Sequence, residues 1–303
     1  MGTPLVLEKW PGAISTVHIG ATQVVTIGGQ NTMPLLFKEG AIPNSPKIAF
    51  EIWDIAPQDF DPELVAVYGE AINDPLAWAD ICVNKYKAEL LCIKMQGTHP
   101  DFGNKSPDAA AKFIATLLSR IKVPLIITGS GDDAKDNLIL PACSEAARGQ
   151  RCLLGSAVQD NYKTLVASVL ADGHSIIAES PIDINIAKQL NILISDMGLS
   201  LERIVMDPTI GALGYGLEYA YSIMERARLA ALSGDKTLAS PFICFVAQEA
   251  WRTKESKSSP QQGIIWETLT ATSLIQSGAD ILVMRHPKAA QNVGNHIKAL
   301  FKG

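Results

Sequence analysis

From residue 46 onward, the chain alternates short apolar runs with segments whose apolar residues recur every three or four positions. Continuous apolar runs of this length are typical of strands that are buried on both faces, and the three- and four-residue spacing is that of a helix. The clearest pair is the run that ends at Asp207 and the helical pattern of residues 217–231, which a glycine-rich loop joins. The pattern therefore predicts a repeated strand, loop and helix unit.

Eight such runs follow one another along the chain. They predict strands over residues 47–54, 89–97, 123–131, 151–158, 174–181, 203–209, 241–251 and 279–287. Eight consecutive strand–helix units over residues 46–303 predict the α/β fold of a closed (β/α)8 TIM barrel in a single domain, 1–303. A doubly wound sheet would usually carry a phosphate-binding glycine loop after its first strand, whereas Trp53-Asp54-Ile55 follows here, so that fold is disfavoured.

The helix boundaries are marked by capping residues. Asp74-Pro75 and Ser106-Pro107 are typical of helix starts, with a polar cap and proline in the first turn. Gly173 and Gly198 are predicted to end two helices, Gly198 in the left-handed conformation that favours glycine. The segment with Pro57 and Pro62 is interpreted as a linker.

Residues 15–29 precede the repeat and alternate apolar and polar positions around Gly20-Ala21-Thr22. This pattern predicts an N-terminal β-hairpin. We expect the hairpin to plug one end of the barrel.

Composition excludes several classes of function. The net charge is −5 over 303 residues, and no dense run of Lys or Arg is present, which argues against nucleic-acid binding. No apolar run reaches the roughly 20 residues of a membrane span, and residues 1–20 lack a signal-peptide core, so no membrane association and a cytoplasmic location are expected.

The cysteines are odd in number and widely spaced, so they are predicted to be small core residues: Cys82, Cys92, Cys143, Cys152 and Cys244. No iron–sulfur cluster is expected in this chain. No histidine and carboxylate spacing predicts a bound metal. Asp172-Gly173-His174 matches only the first half of a cobalt-ligating DxHxxG signature, so His174 is interpreted as a strand-edge histidine.

Ligands of such barrels meet residues at the carboxyl ends of the strands. The candidate ligand-facing residues there are Asp54, Gln96, Thr98, Thr128, Ser156, Glu179, Asp207, Gly211, Gly214, Gln248, Arg285 and His286. No catalytic residue and no nucleophile motif is predicted among them.

Three of these assignments have alternatives that the sequence leaves open. Gly211 and Gly214 fit either a close approach of the backbone to a large ligand or a tight turn from strand to helix. Arg285, beside His286, fits either an anion site or a structural salt bridge. Asp207 fits either a general base or a turn-forming acid.

Several segments carry a family resemblance. They are GATQVVTIGG, EIWDIAP, INDPLAWADICV, LGSAVQDNYK, SPIDINIAKQLNILI, MDPTIGALGYGLEYAYSIMERARLAALSGDK, EAWRTKE and ILVMRHP. Together they resemble the small, delta-type subunit of the corrinoid/iron–sulfur protein of the anaerobic acetyl-CoA (Wood–Ljungdahl) pathway. The resemblance runs from about residue 15 to residue 300, and segments 180–194 and 206–236 are the most distinctive.

The resemblance implies a barrel similar to those of pterin-binding methyltransferases, without catalysis of its own. A partner, the large corrinoid/iron–sulfur subunit, would hold the iron–sulfur cluster and most of a cobamide, which this barrel would cap at the interface of the heterodimer. The complex would take a methyl group from methyltetrahydrofolate through a methyltransferase and pass it to CO dehydrogenase/acetyl-CoA synthase.

A second hypothesis makes the chain a pterin-dependent methyltransferase by itself. In that case Asp54, Asn73, Gln96 and Asp207 would hold the pterin through amide and carboxylate pairing.

Overall fold

The protein was analysed as a computed structural model, which describes residues 6–211, 213–214 and 216–301. Eight parallel strands close into a barrel in the order β10-β3-β4-β5-β6-β7-β8-β9, and β1 and β2 form a separate antiparallel pair. The predicted (β/α)8 barrel with its N-terminal hairpin is therefore confirmed. The strands are β1 (Thr16–Ile19), β2 (Val25–Gly28), β3 (Lys47–Trp53), β4 (Leu91–Lys94), β5 (Leu125–Thr128), β6 (Leu153–Ala157), β7 (Ser175–Glu179), β8 (Ile204–Asp207), β9 (Phe242–Cys244) and β10 (Ala279–Met284).

Helices surround the barrel and bury their apolar faces against the outward side chains of the strands. They are α1 (Pro62–Tyr68), α2 (Pro75–Asn84), α3 (Pro107–Arg120), α4 (Asp133–Ala146), α5 (Tyr162–Asp172), α6 (Ile184–Asp196), α7 (Leu217–Leu232), α8 (Val246–Ala250), α9 (Lys254–Ser258), α10 (Pro260–Ser277) and α11 (Pro287–Leu300). The prediction that residues 1–303 form one domain stays a prediction.

The predicted caps hold the helix ends. The carboxylate of Asp74 accepts a hydrogen bond from the Leu76 amide, and the Ser106 hydroxyl accepts one from the Ala109 amide at 3.2 Å. Gly198 lies just after α6 with φ of 96°, in the left-handed region predicted for it. These contacts satisfy backbone groups that a helix end leaves without partners.

The hairpin closes the amino-terminal end of the barrel, as expected. Val17, Ile19, Val25 and Ile27 are buried and pack against the lowest inward residues of the barrel strands. Backbone bonds fix the hairpin to the segments just before two strands, from Gly20 N–H to the Arg151 carbonyl and from Ser15 N–H to the Ala239 carbonyl. The hairpin therefore covers the amino-terminal end of the barrel interior, which leaves the carboxyl ends of the strands as the open end in the described part of the chain.

The interpretation of the segment around Pro62 as a linker was wrong, because α1 begins there. The Asp61 carboxylate accepts from the Glu63 amide at 2.9 Å, and proline stands in the first turn. Leu64 and Tyr68, four residues apart, are its buried positions. Seven residues are too few for periodicity to separate a short helix from a proline-containing loop.

Strand β9, the seventh of the barrel, is shorter than the predicted 241–251. It ends at Cys244, and α8 begins at Val246 and buries Val246, Ala247 and Ala250. A continuous apolar run fits a strand and a buried helix equally well, so the sequence pattern merged the two. Gln248 therefore lies on a short helix over the barrel mouth instead of at a strand end.

Candidate functional site

The interior of the barrel has an apolar lower layer and a polar upper layer. Side chains of a strand alternate between its two faces, so the next inward residue after buried Val205 is Asp207. The same step on four other strands also reaches a polar residue, so five polar side chains line the interior below the mouth. These are Glu51, Lys94, Thr128, Glu179 and Asp207.

A cavity of about 440 Å³ opens above this polar layer. Such a volume is typical of sites for small organic ligands. Its polar and charged lining residues are Glu51, Lys94, Thr128, Ser130, Asp133, Asp136, Ser156, Asn161, Glu179, Asp207, Thr209, Gln248, Glu249 and Arg252. The lining holds more carboxyl groups than bases.

Two of these carboxyl groups come from neighbouring strands at the same level. Glu179 on β7 pairs with Asp207 on β8 in the strand register. Burial raises the pKa of Asp207 well above its usual range, and the adjacent Glu179 carboxylate raises it further, while the hydrogen bond from the Thr209 amide lowers it. Burial beside Glu179 therefore favours the protonated form of Asp207, in which its carboxyl group can donate a hydrogen bond.

Thr209 shapes the edge of this pair. Its amide donates to the Asp207 carboxyl at 2.9 Å, and its backbone has φ of 56°, in a region that a β-branched residue rarely adopts. Its buried hydroxyl oxygen has no hydrogen-bond partner within the described part of the chain. Such strain and an unpaired polar atom are typical of functional sites.

Arg285 and Glu51 form a buried ion pair beneath the cavity. The guanidinium contacts the Glu51 carboxylate at 2.7 Å, and the indole N–H of Trp53 donates to the same oxygen at 2.6 Å. Burial acts to raise the pKa of Glu51, but the charges of Arg285 and Lys94 outweigh it and hold this pKa below its usual range. Arg285 also lies over the ring of Phe60, 4.5 Å from its centroid. Of its two interpretations, the structural salt bridge is the one observed.

Lys94 is the base on the cavity side of this ion pair. Burial lowers the pKa of its ammonium group, although Glu51 partly offsets that effect. The Lys94 nitrogen lies 5.4 Å from the centroid of the Trp53 ring. Arg285 and Trp53 both donate to one oxygen of Glu51, and the Lys94 ammonium group lines the cavity.

The loop after β5 is held from inside the protein. The Asp136 carboxylate accepts from the Ser130 amide at 2.8 Å, from the Ser130 hydroxyl at 3.0 Å and from the Gly131 amide at 2.9 Å. A side chain at Gly129 would overlap Asp136, because an added Cβ would lie 2.2 Å from its carboxyl group. This glycine loop is therefore built around a carboxylate and does not offer its amides to an anion.

The structure brings five of the twelve candidate residues together. Thr128, Ser156, Glu179, Asp207 and Gln248 all line the cavity.

The candidates that follow the first two barrel strands contact neighbouring loop residues instead of lining the cavity. Asp54 is buried, pairs with Lys105 at 3.0 Å and accepts from the Gly97 amide at 2.6 Å. Gln96 and Thr98 are buried in the turn after β4, where the Thr98 hydroxyl donates to the Met95 carbonyl. These contacts fix the β3 and β4 loops to each other.

The two glycines of the β8–α7 loop differ in their surroundings. Gly211 is buried, and a Cβ there would lie 3.1 Å from backbone atoms of Gly216, so this position serves a tight turn. Gly214 is exposed, has φ of 90°, and no atom of the described residues lies within 4 Å of an added Cβ. Ala212 and Tyr215 of the same loop lie outside the described residues.

His286 caps α11 and is buried. Its Nδ1 accepts from the Lys288 amide, and its ring stacks on Trp251 with the centroids 5.9 Å apart. Burial lowers the pKa of His286 to about 4, so the imidazole is neutral at physiological pH. Its Nε2 is buried and has no hydrogen-bond partner among the described residues.

The four residues of the pterin hypothesis do not line one cavity. Asp207 lines the cavity, whereas Asp54 and Gln96 are buried in the loops after β3 and β4. Asn73 is exposed on the turn before α2.

Several cavity residues were missed from the sequence, chiefly Glu51, Lys94, Asp136, Asn161 and Arg252. Glu51 lies three positions before Asp54 and Lys94 two positions before Gln96, inside the apolar runs that predict the first two barrel strands. The alternation of inward and outward positions was the signal that could have found them. Asp136 and Asn161 reach the cavity through loop contacts, for which no local pattern exists.

The cysteines are core residues, as predicted. All five are free and buried. Burial raises the thiol pKa of Cys82 and of Cys152 to about 12, so neither is a ready metal ligand or nucleophile. Across residues 6–211, 213–214 and 216–301, no group of three or more metal-binding side chains is assembled. The helices of this part also include none that could span a bilayer.

Residues 16–293 match a family model described as CO dehydrogenase/acetyl-CoA synthase delta subunit. A relative from Methanocaldococcus jannaschii, the acetyl-CoA decarbonylase/synthase complex subunit delta, is 36% identical over 295 residues, which are 93% of this chain and 72% of the relative. The protein of the same description from Methanothermobacter thermautotrophicus is also 36% identical over 295 residues, 94% of this chain and 75% of the relative.

Among solved structures, the fold is similar to that of dihydropteroate synthase. The Xanthomonas albilineans enzyme superposes with a TM-score of 0.60 at 12% identity, over 94% of this chain and 97% of the enzyme. The Yersinia pestis enzyme gives 0.59 at 13% identity, over 95% and 99%. At this identity the similarity is one of fold.

Proposed function

The chain belongs to the family of CO dehydrogenase/acetyl-CoA synthase delta subunits, and from this premise we propose that it is the small subunit of a corrinoid methyl-carrier protein. In this proposal its barrel covers a cobamide that a large corrinoid/iron–sulfur subunit mainly holds. The family match over residues 16–293 carries the proposal. The relatives' description as subunits of a complex supports assembly with other chains.

The volume of the cavity supports a covering role. The cavity of about 440 Å³ suits a small ligand. A cobamide is far larger, so it fits only across the mouth. Ser156 and Gln248 reach that mouth with polar side chains, and exposed Gly214 would let a large ligand approach the backbone.

The chain's own residues would shield the cofactor and not ligate it. His99 and His286, the histidines after β4 and β10, both use Nδ1 to accept from a backbone amide. When bound, a cobamide supplies the cobalt that accepts and releases a methyl group. The barrel mouth would exclude water from the cobamide. A methyltetrahydrofolate methyltransferase would deliver the methyl group, and acetyl-CoA synthase would receive it.

Co-expression with a candidate large subunit tests this proposal. We expect the purified pair to show the absorption spectrum of a corrinoid and of an iron–sulfur cluster, and the chain expressed alone to show neither. A stable monomer of this chain that retains a corrinoid would contradict the proposal.

A bulky residue at Gly214 tests whether the β8–α7 loop takes part. Gly214→Phe should reduce the corrinoid content of the purified pair about tenfold, because the side chain would occupy the open space over the mouth. Gly173→Phe is the matched control, since Gly173 is also exposed with φ of 84° but lies at the opposite end of the barrel. Equal loss of stability and corrinoid in both variants would assign Gly214 to turning alone.

The alternative, a pterin-dependent methyltransferase that acts by itself, has a direct test. Calorimetry of the chain alone with methyltetrahydrofolate should give no binding heat under the proposal above. Tight binding would favour the alternative instead.

A further inference from the structure

The segment that follows β9 lines the cavity with three polar side chains. It covers residues 246–258 and consists of α8, a turn and α9, hereafter the α8–α9 segment. Gln248 and Glu249 on α8 and Arg252 in the turn reach the cavity. Arg252 also donates to Glu249 at 2.9 Å, so this ion pair lies within the segment. The position of the segment therefore determines how open the cavity is.

The α8–α9 segment has few polar contacts with the rest of the molecule. The hydroxyl groups of Thr253 and Ser256 donate to carbonyl groups of the segment itself. Among the described residues, the indole N–H of Trp251 makes the one hydrogen bond that leaves the segment, to Glu267 on α10 at 2.8 Å. A segment with so few attachments opens locally more readily than the barrel strands do.

The ring of Trp251 packs where a glycine leaves room for it on α10. Gly263 and Glu267 are four residues apart, so they lie on the same face of that helix. A Cβ added at Gly263 would lie 2.4 Å from an atom of the Trp251 ring. The ring also stacks on His286, with the centroids 5.9 Å apart. Glycine is less favourable than alanine inside a helix, so the room that it gives the indole explains its presence here.

We propose that the α8–α9 segment is a lid over the barrel cavity and that Trp251 is the residue that holds it closed. The lid opens when the indole leaves Gly263 and Glu267. The other apolar contacts that it then loses are those of small side chains, Val246, Ala247 and Ala250. Movable segments of this kind control access to many binding sites. The lid does not depend on the proposed function, since all of these contacts lie within this chain.

Hydrogen exchange of the purified full chain, followed by mass spectrometry, measures the opening. We expect the hydrogen-bonded amides of the lid, such as that of Trp251, to exchange at least about tenfold faster than those of the barrel strands, with little effect of dilute urea. Trp251→Phe keeps an aromatic ring over Gly263 but loses the N–H donor, so it should speed exchange of the lid about tenfold. Trp78→Phe is the control, since it alters a fully buried indole on α2. It should speed exchange of the barrel strands and leave the lid unchanged.

Two glycine substitutions test the contact between the ring and α10. Gly263→Ala places a methyl group against the Trp251 ring, so it should also speed exchange of the lid about tenfold, although alanine favours the helix. Gly294→Ala on α11 is the matched control, because its added Cβ would lie 3.8 Å from Ile48, an ordinary contact. It should leave exchange of the lid unchanged.

A cysteine inside the cavity tests whether the lid covers it. Thr128→Cys places a thiol among the lining residues, while the native cysteines are all buried. Trp251→Phe should speed maleimide labelling of this thiol about tenfold, because the lid is open for more of the time. It should not change the labelling of Thr116→Cys, an exposed position on α3.

Three results would overturn the inference. If the lid exchanges as slowly as the barrel strands and responds equally to Trp78→Phe, the segment opens only by global unfolding. If Trp251→Phe and Gly263→Ala both leave its exchange unchanged, Trp251 does not hold it closed. If the cavity thiol is labelled at the same rate with and without Trp251→Phe, the segment does not cover the cavity. None of these measurements uses a corrinoid, so failure here is distinguishable from failure of the proposed function.

Discussion

Single residues inside the barrel carry charges that depend on one another. Glu51 and Arg285 are 3% and 8% exposed as side chains, so water screens neither charge. Each is held by at least one further contact, Glu51 by Trp53 and Arg285 by the ring of Phe60. Removal of one partner would leave the other charge buried without compensation, which costs far more than the loss of a surface pair.

Glu51→Gln tests this dependence. We expect it to lower the free energy of unfolding by about 3 kcal/mol, because Arg285 stays buried without its counter-charge. The control is Glu145→Gln, whose contact with Arg148 lies between side chains that are 76% and 61% exposed. That change should cost less than about 0.5 kcal/mol. Urea unfolding of both variants measures the difference, and equal small losses would refute the assignment.

A polar residue at the end of a strand was the signal for the candidate site residues, and not every residue with that signal lines the cavity. Glu179 and Asp207, two of the candidates at strand ends, line the cavity. Asp54 also follows a strand, yet Lys105 and the Gly97 amide satisfy its carboxylate. Whether such a residue faces a ligand or a neighbouring loop depends on contacts distant in the chain, which no local pattern encodes.

At the scale of elements, the hairpin has a distinct task. Strands β1 and β2 are only four residues each, and a two-stranded ribbon is marginal by itself. Their inward residues instead complete the apolar lower layer of the barrel. The hairpin therefore gains its stability from the barrel, which in turn gains a closed end.

Ile27→Ala measures this contribution. Ile27 is 1% exposed on β2 and packs within the lower layer, so we expect a loss of about 3 kcal/mol in the free energy of unfolding. Val24→Ala in the same hairpin is the control, since Val24 is 48% exposed and should cost less than about 0.5 kcal/mol. A similar small effect of both changes would mean that the barrel end is stable without the plug.

Elements with strong end signals were predictable and short ones were not. The start of α3 at Pro107 and the end of α5 before Gly173 follow from capping chemistry that acts within a few residues. Helices α1 and α8, of seven and five residues, depend on the core that receives Leu64 and Val246. Their existence is decided by tertiary packing, which outweighs local preference at such lengths.

At the scale of the whole molecule, the buried acid Glu267 connects helices at the barrel mouth and also affects the stability of the fold. This residue of α10 accepts from the Arg285 amide at 2.6 Å and from the Trp251 indole at 2.8 Å, so it joins α10 to the end of β10 and to the residue after α8. Burial raises the pKa of Glu267 to about 7. In the unfolded chain the same carboxyl should titrate near the ordinary value of 4.5.

The sign of the resulting pH dependence follows from proton binding. Between about pH 4.5 and 7 the folded protein keeps the Glu267 proton and the unfolded chain releases it, so this group lowers the free energy of unfolding as pH rises through that window. His286, with its pKa lowered to about 4 by burial, acts in the opposite sense, because the unfolded chain binds its proton first as pH falls below 6.5.

Glu267→Gln separates the two effects, because it removes one titrating group and leaves His286 in place. Urea unfolding at several pH values should show that the slope of the free energy of unfolding against pH, between pH 4.5 and 7, is more positive in the variant by about 1.4 kcal/mol per pH unit. The variant should also be less stable at every pH. The Gln side chain has only one acceptor oxygen, whereas the N–H groups around Glu267 now donate to two carboxyl oxygens. Glu225→Gln, an exposed change on α7, should keep the original slope. An unchanged slope in Glu267→Gln would mean that Glu267 is already ionised in the folded protein, and that the N–H groups at the end of β10 compensate its burial completely.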